Sequence, residues 1–328
     1  MTAFGSVICS TMAVSVFADE HFADFELQPV RTLDLHPAAH VLHYGSACFE
    51  GLKAHKGHDG VVRIFRLDRH VARMGLSADL LCLPVPGAEL LTTMVRAAVA
   101  TNRNDVPYPP GALYLRPVLI GTEPNIGAAA HPSDTALLYV LASPVGDYFD
   151  SSRALTVAIE TELPRTTPQF GRVKTGANYA MALGITRRAV AEHRADQVLF
   201  APGGDVQETG ASNFLMIDGD RIVTKPLDRS FLHGVTRDSL LTLARDMGYD
   251  IDERPLLVDE IVERAPDVEM ALAGTAAVLA PVGTLVHDDH RITVGDGSPG
   301  ARTTKLREAL LAIQRGEAPD RWGWTSSV

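Results

Sequence analysis

The side-chain amines available for chemistry are few: Lys53, Lys56, Lys174, Lys225 and Lys305, the other 25 positive charges being arginine. A lysine becomes a Schiff-base former when a cationic neighbour or partial burial lowers its pKa, and a helix N-terminus adds positive potential in the same sense. Lys174 stands in Gly171-Arg172-Val173-Lys174-Thr175-Gly176-Ala177-Asn178-Tyr179, just before a helical pattern, among small residues that let another group approach the backbone. Spacing alone balances that role against a surface lysine at a helix start. The other four read as solvated: Lys53 and Lys56 flank Ala54-His55, Lys225 precedes Pro226, and Lys305 lies on the polar side of an amphipathic stretch.

Other common chemistries lack their residues. His36, His40 and His43 have helical spacing, and His55 and His58 lie close together, but no H-E-x-x-H or Cys/His cluster accompanies them. They read as surface or satisfied core histidines, and no metal is expected. No G-x-S-x-G or P-loop is present. Gly295-Asp296-Gly297-Ser298-Pro299-Gly300 matches G-x-G-x-x-G by letter, yet too little chain follows for a second strand, so it reads as a surface turn.

Forty acidic against thirty basic residues give a net charge of −10, a field that repels phosphate backbones and anionic membranes. Cys9, Cys48 and Cys82, an odd number without close spacing, suit a reducing compartment, with the cytoplasm as the expected location. The apolar start from Val7 to Phe17 lacks the positive flank of a secretory signal, since the first basic residue is Arg31.

These residues need elements to position them. With 46% hydrophobic and 21% charged residues, the chain has enough apolar surface for two cores. Apolar spacing predicts helices over 68–81, 88–102, 177–193, 236–247 and 303–315. Runs rich in Val, Ile, Leu and Tyr predict strands over 61–65, 113–121, 135–143, 155–161, 197–200, 213–217 and 221–224. Asp218-Gly219-Asp220 reads as a hairpin turn between the last two. The composition shift at Ser143-Pro144-Val145-Gly146-Asp147-Tyr148 marks a boundary: a domain over 1–143, a linker over 144–153 and a second domain over 154–328.

Seven segments in order resemble the branched-chain aminotransferase family: His43 to Gly51, Phe65-Arg66, Tyr114-Leu115-Arg116-Pro117, Lys174 to Tyr179, Glu208 to Asn213, Gly234-Val235-Thr236-Arg237 and Gly274-Thr275-Ala276-Ala277. The resemblance runs from about Phe25 to the Trp322-Gly323-Trp324 tail. It implies an α/β (α+β) fold of type IV among pyridoxal-phosphate enzymes, with a small N-terminal domain and a larger C-terminal one around a β-barrel-like core. It also implies a homodimer whose site lies between the domains, completed by a partner's loop over 121–127, with a loop near Tyr148 closing over substrate.

The resemblance implies a role for each group. Lys174 would carry pyridoxal 5'-phosphate as a Schiff base and then move the α-proton. Glu208 would pair with the pyridine nitrogen, favouring a protonated ring that accepts electrons better. Tyr179 would meet the phenolic oxygen. Arg66, the amides at Val235 and Thr236, and Thr275 would hold the phosphate. Thr275 and Ala276 would offer amides to the substrate α-carboxylate. Arg116 would take glutamate's distal carboxylate, while Tyr44, Phe49, Tyr148 and Tyr179 would form apolar walls. Arg69 and Arg73 are read as surface residues.

The implied reaction is amino transfer between L-leucine, L-isoleucine or L-valine and 2-oxoglutarate. Other type IV activities compete: D-amino-acid transaminase, amine transaminase, aminodeoxychorismate lyase or a specialised biosynthetic transaminase. The Tyr44 to Gly51 motif, Arg116 and the tryptophan tail favour the branched-chain group. A non-catalytic cofactor-binding or assembly protein on the same fold is the rival from another class, and a colourless protein with no cofactor mass would favour that non-enzyme reading. Ser212 replaces a second Glu found in many members, Gly176-Ala177 replaces a commoner glycine pair, and no C-x-x-C switch is present.

Overall fold

The computed structural model describes residues 4–146 and 153–328. Tyr148 lies outside the described residues. The chain divides into two compact units. The first takes the chain to Gly146 and adds Val173–Ala177 and Ala312–Val328. The second holds the stretch that ends at Arg172 and Asn178–Leu311. The two returning segments lie within the 154–328 range that composition assigns to a second domain.

The first unit is built on one antiparallel sheet. Its strands are β1 (Thr11–Ala18), β2 (His21–Phe22), β3 (Glu26–Pro29), β4 (Ala47–Phe49), β5 (Leu52–Lys56), β6 (Val62–Phe65), β7 (Ala112–Gly121) and β8 (Ala136–Val145). The order runs from the C-terminal strand Thr325–Ser327 through β6, β5, β7, β8 and β1 to β2, with β3 on β1 and β4 on β7. The longest ladder pairs Ala112 with Val145 through to Gly121 with Ala136. Its alternation is that of a sheet with two unlike faces. Leu113, Leu115 and Leu119 enter the core, while Tyr114, Arg116 and Val118 are half-buried on the other side.

A short helix α1 (His40–Tyr44) precedes β4, and α2 (Leu67–Leu80) and α3 (Ala88–Thr101) cover the core face. α2 buries Leu67, Val71, Met74 and Ala78, and α3 buries Leu91, Met94, Val95, Ala98 and Val99, each one stripe of a helix. β5 escapes sequence detection because Lys53, His55 and Lys56 mask its alternation. Leu52 and Ala54 enter the core, yet Lys53 and His55 are themselves only 7% and 3% exposed. Lys53 is therefore not solvated as its sequence suggests; the Phe4 ring lies 6.0 Å from its ammonium.

The second unit closes on itself. Its strands are β9 (Leu155–Glu160), β10 (Gln197–Phe200), β11 (Glu208–Thr209), β12 (Asn213–Asp218), β13 (Arg221–Thr224), β14 (Asp250–Glu253), β15 (Glu269–Gly274), β16 (Val278–His287) and β17 (His290–Thr293). The ring β9-β10-β11-β12-β15-β16 returns to β9, a six-stranded barrel closed by pairing of Glu208 with Asn213. Leu155, Val157, Leu199, Phe214, Met216, Met270, Leu272 and Leu285 belong to its core.

The expected hairpin joins β12 to β13, pairing Asp218 with Arg221 across Gly219 at φ +57°. The helices α4 (Gly176–His193), α5 (Val235–Asp246), α6 (Val258–Arg264) and α7 (Ala301–Arg315) follow in chain order. Among the described residues no helix is long and apolar enough to cross a membrane, and no three His, Cys, Asp or Glu could hold a metal ion. Lys225, expected in solvent, is 9% exposed and pairs with Asp205 and Asp228, because the end of β13 carries it against those carboxylates.

Candidate active site

Lys174 is half-buried and its peptide is held from two sides. Its N–H donates to Ser77 Oγ on α2 at 3.0 Å, and its carbonyl accepts the Phe49 N–H at 3.0 Å. The amine stands 5.1 Å from the centre of the Phe49 ring. Two residues on, the chain enters α4.

The other face of Phe49's neighbourhood belongs to Arg116. Its guanidinium carbon lies 4.5 Å from the Phe49 ring centre and 5.3 Å from that of Tyr114, and one Nη donates to the Tyr114 hydroxyl at 3.0 Å. Its Nε is buried without a hydrogen-bond partner. A buried donor on a cation is costly unless something negative meets it. Phe49 thus gathers the lysine and the arginine around one ring. Tyr44 does not join them; it is exposed, and its hydroxyl donates to the Ile126 carbonyl.

Arg66 is 6% exposed and caps α2 in the left-handed region, φ +50°, where a non-glycine residue stores about 1–3 kcal/mol of strain. That backbone turn directs its side chain onto the tail. The guanidinium lies 5.1 Å from the Trp324 ring centre, the Arg66 peptide N–H donates to the Trp324 carbonyl at 2.6 Å, and Trp324 stacks on Trp322 at 4.4 Å. Arg73, read from sequence as a surface residue, is 9% exposed and bonds the buried Glu50 carboxylate at 2.6 Å, because α2 turns that side inward. Arg69 is exposed.

In the second unit, Glu208 is 2% exposed at the start of β11, and three donors hold its carboxylate. Arg165 donates to Oε1 at 2.7 Å, the Leu232 N–H to Oε1 at 3.0 Å and Asn213 Nδ2 to Oε2 at 3.3 Å. These bonds satisfy the buried carboxylate. The Arg165 guanidinium lies 5.6 Å from the Tyr179 ring centre, so Glu208 and Tyr179 share one cation. Sequence reasoning gave Arg165 no role, since it sits in a loop without periodicity and its partner is 43 residues away.

Asn213 also bonds the Leu232 carbonyl at 2.9 Å, tying Glu208 to the approach of α5. A Cβ at Gly234 would come 2.0 Å from Asn213 Oδ1, so only glycine fits there. Gly234 is the N-cap of α5, with no side chain capping the amides of Val235 and Thr236. Such a start suits a phosphate, whose oxygens take free amides at the positive end of the dipole. Thr275, Ala276 and Ala277 form the turn between β15 and β16, and a Cβ at Gly274 would press within 2.8 Å of Ser212 Oγ.

The first unit thus carries a lysine whose peptide is held from two sides and two arginines, and the second carries a buried carboxylate and an uncapped helix start. The comparisons agree in class. The model of the amino-transferase class IV family matches residues 47–284. "Branched-chain-amino-acid aminotransferase 2" of Bacillus subtilis is 36% identical over 337 residues, 99% of this chain and 92% of its own. The branched-chain-amino-acid aminotransferase of Mycolicibacterium smegmatis is 37% identical over 97% of this chain and 89% of its own. The crystal structure of the T.th. branched-chain amino acid aminotransferase with pyridoxamine 5'-phosphate superposes with a TM-score of 0.80 at 26% identity, covering 96% of this chain and 98% of that one. The chain therefore belongs to the class IV aminotransferases and, within them, to the branched-chain aminotransferase family.

Proposed function

We propose that this protein transfers the amino group between L-leucine, L-isoleucine or L-valine and 2-oxoglutarate with pyridoxal 5'-phosphate, as a homodimer in the cytoplasm. The observation that carries this reading is Arg116 beside Phe49, with its buried unpartnered Nε and with Lys174 over the same ring. Such a floor accepts an aliphatic side chain by contact and glutamate's second carboxylate by charge.

When bound, the cofactor supplies an electron sink for the pair left by breaking the α-C–H bond. Lys174 would hold it through its amine, and the same Nζ would carry the α-proton. Glu208, hydrogen-bonded by Arg165, Asn213 and the Leu232 amide, would pair with the ring nitrogen and favour its protonated form. Tyr179 orients the phenolic oxygen, while Arg66, Thr275 and the amides at Val235 and Thr236 anchor the phosphate. Thr275 and Ala276 would offer amides to the α-carboxylate, and Phe49 would wall the pocket beside Lys174.

A substrate panel tests this directly. Turnover of L-leucine, L-isoleucine and L-valine with 2-oxoglutarate should exceed that of D-alanine or a chiral amine with pyruvate. Dominant D-alanine or amine turnover would assign another activity of the class.

A further inference from the structure

Glu50 is 1% exposed, and the roles above leave it unused. Its carboxylate accepts Arg73 Nε at 2.6 Å and Nη2 at 2.9 Å, His70 Nδ1 at 2.7 Å and its neighbour Gly51's N–H at 3.1 Å. A carboxylate this deep persists only when paired and fully hydrogen-bonded. Burial works to raise its pKa, but Arg73 and His70 more than offset that and hold it well below the usual carboxylate range. Burial likewise depresses His70, with Arg73 and Lys174 adding to the effect against Glu50. The cluster is thus one anion, one cation and a neutral imidazole.

What the cluster joins gives it a use. Glu50 follows Phe49, whose N–H holds the Lys174 carbonyl, and Glu50's own N–H donates to the Pro117 carbonyl at 2.9 Å, next to Arg116. His70 and Arg73 lie on α2 at i and i+3, and the same helix carries Ser77 at i+7, whose Oγ accepts the Lys174 N–H. The two clamps on the Lys174 peptide therefore sit on two elements, and one buried carboxylate locks those elements together.

We propose that Glu50, through His70 and Arg73, is a positioning residue that sets the Lys174 peptide between Phe49 and Ser77 and so holds the amine in place for proton transfer. The proposal rests on the transaminase reading. A displacement of about 1 Å in a reacting group costs roughly 100-fold in rate. Loss of the Glu50 charge also leaves Arg73 uncompensated, which disfavours a proton on the lysine-bound nitrogen.

The test compares wild type with Glu50→Gln, Glu50→Asp, His70→Asn and Ser77→Ala, below each variant's Tm. Three quantities are read: hydrogen exchange of the Lys174 peptide in the cofactor-free chain, the pH midpoint of the visible band after adding pyridoxal 5'-phosphate, and kcat against KM for L-leucine. Glu50→Gln should speed exchange about 10-fold, move the midpoint to lower pH by about half a unit to one unit and lower kcat about 10- to 100-fold, with KM within about 3-fold. Glu50→Asp should recover the midpoint, and Ser77→Ala should speed exchange with the cluster intact.

Variants that lower Tm but leave exchange, midpoint and kcat at wild-type values would make the cluster a structural strut and overturn the proposal. If Glu50→Gln does not fold, His70→Asn and Ser77→Ala decide by the same readings. A wild type that develops no visible band would instead overturn the transaminase reading and this proposal with it.

Discussion

At the scale of single residues, the chemistry concentrates on charged groups whose surroundings are not those of solvent. Lys174 is expected to be indispensable: Lys174→Ala should abolish both turnover and the borohydride-trapped cofactor mass, measured by intact-protein mass spectrometry. Arg116→Gln removes a charge-assisted contact worth about 1.5–3 kcal/mol, so KM for 2-oxoglutarate should rise roughly 10- to 100-fold. KM for L-leucine should change far less, because in the proposed pocket its side chain would meet the Phe49 ring rather than the cation. Equal loss for both substrates would assign Arg116 to general architecture. Both residues were visible in the sequence as types at motif positions. Arg165 was not, since nothing near it signals that it will meet Glu208.

Elements turn those residues into a site, and their constraints show where side chains are forbidden or left unpaired. Gly234 at the head of α5 has no room for a Cβ beside Asn213. Gly234→Ala should therefore displace the helix start and loosen the Glu208 network, raising the Kd for pyridoxal 5'-phosphate in a dialysis titration. Strand β5 carries another constraint, for both ring nitrogens of His55 are buried without partners. Burial first, then the charges of Lys53 and Arg315, push its pKa from 6.5 to about 3. The unfolded chain binds the proton more readily, so this contribution is whole above pH 6.5 and falls by about 1.4 kcal/mol per unit as pH drops toward 3. Urea denaturation at pH 7 and pH 5 should show His55→Leu losing less stability than wild type over that interval.

For the molecule as a whole, the C-terminal segment matters more than its place at the chain end suggests. Ala312–Val328 belongs to the first unit, where Thr325–Ser327 pairs with β6 and Trp324 is 7% exposed against Arg66 and Phe65. Removing a buried tryptophan side chain costs about 3–5 kcal/mol. Trp324→Ala should lower the urea midpoint accordingly and weaken phosphate retention, since Arg66 loses the ring that holds its guanidinium. The charge of −10 need not oppose anionic ligands, because the proposed contacts of Arg66, Arg116 and the α5 amides would act within a few ångströms while the net field is screened over about 8–10 Å.

Local rules settled much of this protein before any fold was known. The helical stripes, the Asp218-Gly219 hairpin, the lysine ahead of a helix and the order of the motifs depend on near neighbours in the chain, and periodicity records those. Pairings across long separations were decided only in three dimensions: Glu50 with His70 and Arg73, Arg165 with Glu208, and the β9–β16 pairing within the barrel. Burial was decided there too. Lys53 and Lys225 read as solvent-facing because a lysine ordinarily keeps its ammonium in water, yet what covers them comes from elsewhere in their own unit. A residue's type and spacing define what chemistry it can do, and packing decides which charges lose their water and must find a partner.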